Sequence, residues 1–494
     1  MKSCPNATCP FALKFKRAGE YQDTASSCSD CGGPLVEGPT APVAPSRAAA
    51  VVVVPSDATS RLVVTIASGL AFIGLSRLPL MGSEGRSSVL LDLVGDDGRP
   101  EPRMALAAGL TPFISAFLLV ELIALAVPPL RALRTGGPVA RRKLDRTAWV
   151  LGFLLLLLQL FNIERYRAAV TGENPGSLIW GQLLLAHLAM LGLAFAVTRH
   201  GLGNGIALLI GATSLQSLLV SGSTQYRFAQ MEMVLSLPSL MILWLMLAAV
   251  AWGTMRLGRA GRDGRGALPA AVPFPVSSDG AWALASALMA LPVTVGAWLP
   301  EASMLARRLQ SSHWLYMGIL LFLAFDVALA FGYLFFRPRV IGELWVKWVP
   351  GVDQTSVVAS ARALLPVALG ISIGATVAMP LVLMQFGSWV GIPTAATLGL
   401  LVLSLTCAVV DVADEWSALR RLGPLISVWE VQRTAEIEPI FHLLRTAGIE
   451  AHARSFLLRA TQQFFGPFIP VGILVPVARE AEARALLASR LPAK

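Results

Sequence analysis

The chain has 494 residues, of which 55% are hydrophobic and 14% charged, with a mean hydropathy of +0.65 and a formal net charge of +10. Soluble domains carry about a quarter charged residues, so this balance excludes an ordinary water-soluble protein. The basic residues follow the ends of apolar runs, which reads as membrane topology and contact with anionic lipid; no nucleic-acid surface is needed to explain them.

Residues 1–38 stand apart from the rest. Cys4 and Cys9 form a C-x4-C pair, and Cys28 and Cys31 a C-x2-C pair followed by Gly32 and Gly33. Two short cysteine turns separated by an intervening stretch can place four thiolates tetrahedrally around zinc. The spacing predicts a zinc ribbon whose four cysteine ligands leave no open position, so the metal is structural. The alternative is four unligated thiols in a tail, kept reduced on the cytoplasmic side. Residues 39–58 are rich in Pro and Ala and read as a linker.

Ten apolar runs of spanning length follow, near 62–80, 106–127, 148–163, 178–197, 204–221, 234–252, 280–299, 315–336, 363–385 and 395–412. No cleavable leader is expected before them. Arginines and lysines crowd the connections between runs 2 and 3, 6 and 7, and 8 and 9, whereas the segment 81–103 is acidic on balance. The chain is therefore expected to keep both termini in the cytoplasm. Segment 82–103 is either a surface loop or a re-entrant stopper.

Run 2 contains Gly109-Leu-Thr-Pro112-Phe-Ile114-Ser115-Ala-Phe-Leu118, small and polar residues where lipid alone favours leucine, which suggests a face turned toward other helices or a cavity. This stretch resembles the second transmembrane segment of the SecY family, with Glu121 where the family has Gln. The basic connection ending in Arg141, Arg142 and Lys143 resembles the family's G-R-R-K loop. Gly201, Gly203, Asn204, Gly205 and Ile206 match its G-x-G-N-G-I motif. Pro275, Gly280 and Pro292 can be placed on the motif of its seventh span. Pro338, Ile341, Glu343, Leu344, Pro350 and Gly351 match the loop after the eighth, and Asp411 takes the aspartate position of the tenth.

The resemblance implies an all-α membrane fold over 59–422: ten helices in two inverted five-helix halves, placing this chain in the bacterial inner membrane. It implies a protein-conducting channel closed at its waist by apolar side chains. Ile114, Leu118, Ile206 and Ile210 are then the ring candidates; without the family they read as packing residues. Gly109, Pro112, Ser115, Gly203, Asn204, Gly205 and Gly280 carry the gate and motif positions. Asp326, inside LLFLAFDVALAF, reads either as a polar gate contact or as an interhelical hydrogen bond. Arg141, Arg142, Lys143, Pro350 and Gly351 would be cytoplasmic loop contacts. Implied partners are lipid, a SecE-like clamp subunit and polypeptide substrates. Asp353 reverses the charge that the family carries after P-G-I, and the connection between runs 6 and 7 is short, so standard ribosome or motor docking is not expected. Glu121 and Asp411 are expected at solvated helix ends.

Residues 423–494 turn soluble. ISVWEVQRT, IEAHARS and VGILVPVA read as strands, and AEIEPIFHLLRTAG and REAEARALLASRL as helices. The pattern resembles a small bacterial domain of signal-transducing type, more suited to binding than to catalysis. No paired nucleophile and base appears in the spans, so an enzyme is not expected. The two readings carried forward are a divergent channel subunit and a membrane receptor or scaffold that kept the fold.

Overall fold

The computed structural model describes residues 2–4, 20–21, 27–28, 35–37, 58–78, 80, 105–135, 137–171, 177–230, 237–260, 313–390, 395–461 and 468–490. The chain divides into two compact units, Met1–Val54 and Pro55–Lys494.

In the first unit three two-residue strands, β1 (Lys2–Ser3), β2 (Glu20–Tyr21) and β3 (Val36–Glu37), pair antiparallel in the order β2-β1-β3. Cys4, directly after β1, and Cys28 are both buried. Cys9 and Cys31 lie outside the described residues.

The second unit is built on helices α1 (Ala58–Ser76), α2 (Thr111–Ala126), α3 (Pro128–Thr135), α4 (Gly137–Thr171), α5 (Ser177–His200), α6 (Gly205–Gln230) and α7 (Leu237–Ala260). After residues 261–312 come α8 (His313–Phe335), α9 (Pro338–Trp348), α10 (Gln354–Ile373), a π turn (Gly374–Ala378), α11 (Met379–Val390) and α12 (Ala395–Leu422). The apolar run 280–299, Gly280 and the segment 82–103 lie outside the described residues.

Among the described residues, four helical stretches are long and apolar enough to cross a membrane: Ala58–Ser76, Ala140–Arg165, Leu178–His200 and Gln354–Gly387. Shorter apolar stretches lie at Thr111–Glu121, Gly205–Leu219, Met241–Gly253 and Gly318–Ala330. Large apolar side chains are exposed along these helices, among them Val63, Ile66 and Leu70 of α1, Val150, Leu154 and Leu158 of α4, and Met241 and Leu245 of α7. A soluble protein does not tolerate such faces. They are lipid-facing, and the chain is a multi-pass membrane protein.

Two helices overrun the apolar runs that announced them. The third run was bounded at 148–163, but α4 spans 137–171 because nothing in its basic N-terminal turns breaks a helix. The tenth ended at 412, but α12 continues to Leu422 and stops where Gly423 adopts φ +77°.

Lipid supplies no hydrophobic drive between helices, so close approach depends on small residues. Gly211 of α6 lies so near α12 that an added Cβ would sit 2.7 Å from the Cβ of Ala408. At Gly205 a Cβ would fall 1.8 Å from the carbonyl oxygen of Ala194 in α5.

The C-terminal domain begins directly after α12. Strand β4 (Leu425–Val431), α13 (Ile437–Thr446), β5 (His452–Arg454), α14 (Phe456–Thr461), β6 (Val471–Pro476) and α15 (Glu480–Ala488) follow in order. The antiparallel sheet runs β4-β6-β5, with Leu425 opposite Pro476 and His452 opposite Leu474. Helix α13 buries Ile437, Ile440, Leu443 and Leu444 on one face and ends at Gly448, φ +69°.

The Gly205 contact yields a test. Gly205→Ala should lower the melting temperature of the detergent-solubilised protein, costing on the order of 1–3 kcal/mol by overpacking. Gly181→Ala, where a Cβ meets nothing within 4 Å, should leave it unchanged or slightly raised.

Candidate functional site

The turn between α5 and α6 organises the site. Gly203 stands at φ +76°, a conformation only glycine adopts at no cost. The bend lifts a run of backbone N–H groups out of helical pairing, and each finds a side-chain acceptor. The N–H of Leu202 donates to Thr65 Oγ1 of α1 (2.8 Å), and that of Gly203 to Glu415 Oε2 of α12 (2.8 Å). The N–H of Asn204 donates to Ser455 Oγ (2.9 Å), and that of Gly205 to Thr198 Oγ1 of α5 (2.8 Å). Asn204 caps its own helix, its Oδ1 accepting from the N–H of Ile206 at 2.9 Å. One turn therefore ties α1, α5, α6, α12 and the C-terminal domain together.

Glu415 is fully buried and is the anionic centre of this junction. Arg454 of β5 grips it with Nε–H donating to both oxygens (3.1 and 3.0 Å) and Nη2 to Oε1 (2.6 Å). Its Nη1 donates to the carbonyl of Thr198 (3.1 Å). Arg61 at the start of α1, 1% exposed, places Nη1 3.9 Å from Oε1 of the same carboxylate. Four residues earlier, Asp411 accepts from the N–H groups of Leu457 (2.8 Å) and Leu458 (2.9 Å), which open α14. Ser455, just before α14, is held at φ +57°, rare for a residue with a side chain.

Glu121 and Asp411, expected at solvated ends, are both buried. Glu121 pairs with Arg141, which also donates from Nε to Asp145 Oδ1 (3.1 Å). Arg141 is only 3% exposed, so it braces α4 against α2 instead of reaching into solvent; Arg142 and Lys143 beside it are exposed. Pro350 and Gly351 are exposed, with Gly351 at φ +79°. Asp353 has a local reason for its charge. It caps α10, accepting from the Thr355 hydroxyl (2.6 Å) and from the N–H groups of Thr355 (3.1 Å) and Ser356 (3.0 Å), and these bonds, the hydroxyl's foremost, hold its carboxyl below the usual aspartate range. Asp326 lies half-buried on α8.

The apolar candidates lie where α2 and α6 share one core. Ile206 is buried, and Ile114 and Ile210 pack partly buried against the same cluster, which holds Phe113, Phe117, Leu156, Leu160 and Leu209. Leu118 is half-buried. Gly109 (φ +52°) and Pro112 set the entry into α2, and Ser115 is exposed. Phe117 and Trp149 meet Phe468 of the C-terminal domain at ring-centroid distances of 5.0 and 5.9 Å.

Residues 105–344 match the SecY family model. Over that stretch, just under half of its length, the chain is similar to the SecY family. It is 25% identical over 176 residues to the protein translocase subunit SecY of Rickettsia conorii, covering 31% of this chain and 41% of that one. To the SecY of Staphylococcus carnosus it is 27% identical over 187 residues, 36% of this chain and 42% of the relative. To that of Bacillus licheniformis it is 32% identical over 118 residues, covering 22% and 27%. The matches thus span well under half the length of these SecY relatives.

Reasoning on the sequence missed Arg61, Thr65, Glu415, Arg454 and Ser455. One signal was available: Asp411 and Glu415 in DVADEW stand four apart, hence on one face of α12.

Glu415→Gln keeps the shape and removes the charge, leaving two arginines without their anion. It should destabilise the protein by about 3–5 kcal/mol. The Glu415→Gln/Arg454→Met double variant should lose less than the two single changes summed, measured as a double-mutant cycle in detergent.

Proposed function

We propose that this chain is a SecY-like channel subunit through which polypeptides cross or enter the bilayer. The observation that carries this is the apolar cluster joining Ile114, Ile206 and Ile210 across α2 and α6, inside the stretch that matches the family. Aliphatic side chains at a waist exclude water, and with it ions, yet can yield to a passing chain. In this reading ten helices form two inverted five-helix halves in the bacterial inner membrane, with both termini cytoplasmic. A SecE-like helix clamps the halves, and lipid surrounds them. The protein is a conduit rather than an enzyme.

The N-terminal unit fits a structural zinc site in what is described of it. Cys4 and Cys28 are 3% and 2% exposed beside strands too short to form a core of their own. Together with Cys9 and Cys31 they would hold one zinc ion, which supplies folding energy and no reaction. Purified protein should carry about one zinc per chain, and Cys28→Ser should lose it. Wild-type protein isolated without metal would remove the ribbon from the account.

A second reading, a receptor or scaffold that kept the fold without conducting, is favoured by the way the C-terminal domain is built into the helix ends through Glu415. Docking of a ribosome or motor in the standard way is not expected in either reading, because Trp345 and Trp348 of α9 are buried against that domain and Asp353 serves as a helix cap.

A photoreactive amino acid at Ile114 or Ile206, with a secretory chain stalled during translocation, distinguishes the two. The channel reading expects crosslinks from both positions and none from Leu185, which is 68% exposed on α5. Equal labelling at all three, or none, would leave the scaffold reading standing.

A further inference from the structure

The buried apolar residues of the second unit separate into clusters. One gathers α1, α2, α4, α5 and α6, and takes in Leu457, Leu458, Phe468 and Ile469 of the C-terminal domain. Another gathers Phe336, α9 and the start of α10, and is completed by Val428, Ile440, Leu443 and Ile473 of the same domain. The C-terminal domain is the segment common to both. It links one helix group to the other at the end of the bundle that carries the α5–α6 turn.

The two attachments differ in chemistry. On the α12 side the polypeptide runs without a break from Leu422 into β4. Arg454, Ser455 and the N–H groups of Leu457 and Leu458 all find polar partners there. Leu425 and Leu474 also pack with Leu202, Ala418 and Leu419. On the α9 side the contacts are apolar and aromatic. Trp345 lies 5.8 Å from His442, and Trp348 lies 5.8 Å from Trp429, ring centroid to centroid. The indole Nε1–H groups of Trp345 and Trp348 are buried there with no hydrogen-bond partner among the described residues. A buried donor without an acceptor lowers the stability of the interface that hides it, and water satisfies it once the interface opens.

We propose that the C-terminal domain is an intramolecular strap between the two helix groups, fixed at the Glu415 junction and built to release at α9. Release uncovers the face of α9 that carries Ile341, Leu344, Trp345 and Trp348, and frees the α8–α10 group from the α2–α4 group at that end. The strap stands on the packing alone; its effect on conduction rests on the channel reading.

The test uses full-length protein in nanodiscs, with spin-labelled amino acids inserted so that the native cysteines stay intact. Val346 on α9 and Arg445 on α13 have exposed side chains, and so has Arg421 at the end of α12. The 346–445 pair reads the α9 seam and the 421–445 pair reads the anchor. Trp345→Ala with Trp348→Ala should enlarge a long-distance population in the first pair several-fold and leave the second unchanged. Trp345→Phe with Trp348→Phe removes the unpaired N–H groups together with the pyrrole rings, and should enlarge that population far less than the Ala variant does. Both distances lengthening together, or the Phe variant loosening the seam as much as the Ala variant, would overturn the strap. Should the Ala variant not fold, hydrogen exchange of the wild-type chain decides. The amides of α13 should exchange several-fold faster than those of Leu457 and Leu458, and equal protection sinks the proposal. Ion current across liposomes then separates the two ideas: a released seam with current supports both, while a released seam without current leaves the strap and removes the channel.

Discussion

A carboxylate taken out of water needs partners, and Glu415 has drawn them from every direction. Two arginines from distant parts of the chain, one at the start of α1 and one on β5, converge on it together with a backbone N–H from the α5–α6 turn. Burying such a group is costly unless its neighbours are fixed in place. The requirement runs both ways: the charge holds the turn, and the turn holds the charge. This mutual demand sets where the last domain sits on the helix ends, in a protein whose helices gain little from apolar contact with one another.

The glycine motif at this place has a physical reading that needs no family. Gly203 turns the chain into left-handed space, and Gly205 lets α6 start against the backbone of α5. The bend leaves N–H groups pointing outward, and Thr65, Thr198, Glu415 and Ser455 take them up. A motif that identifies a relative is also an unsatisfied stretch of backbone, answered by side chains that lie far away in sequence.

What the sequence disclosed and what it hid divide along that line. Apolar runs announced helices because lipid enforces internal hydrogen bonding along a span. The small-residue pattern from Gly109 to Ala116 disclosed α2 and its inward face, and the alternation in residues 423–494 disclosed the strands and helices of the last domain. Helix ends were less legible: charged residues continue α4 and α12 past their apolar stretches, since a helix stops for want of partners or at a glycine and not at the edge of the membrane. Asp411 and Glu121 looked like solvated end charges because single residues do not reveal their mates. Leu457, Arg141 and Arg454 lie 46, 20 and 39 positions from Asp411, Glu121 and Glu415, respectively. Asp353, which looked like a reversed docking charge, answers to the free N–H groups two and three residues after it.

The order of α9 and the strap along the chain has a consequence for biogenesis. A chain made from its N-terminus completes α9 more than seventy residues before it reaches Val428 and Ile440. Through that interval the Trp345 and Trp348 face lacks the C-terminal side chains that pack against it in the folded chain. Synthesis of the segment from Val428 to Ile473 thus supplies the side chains that close this surface, well after the helix that carries it has been made.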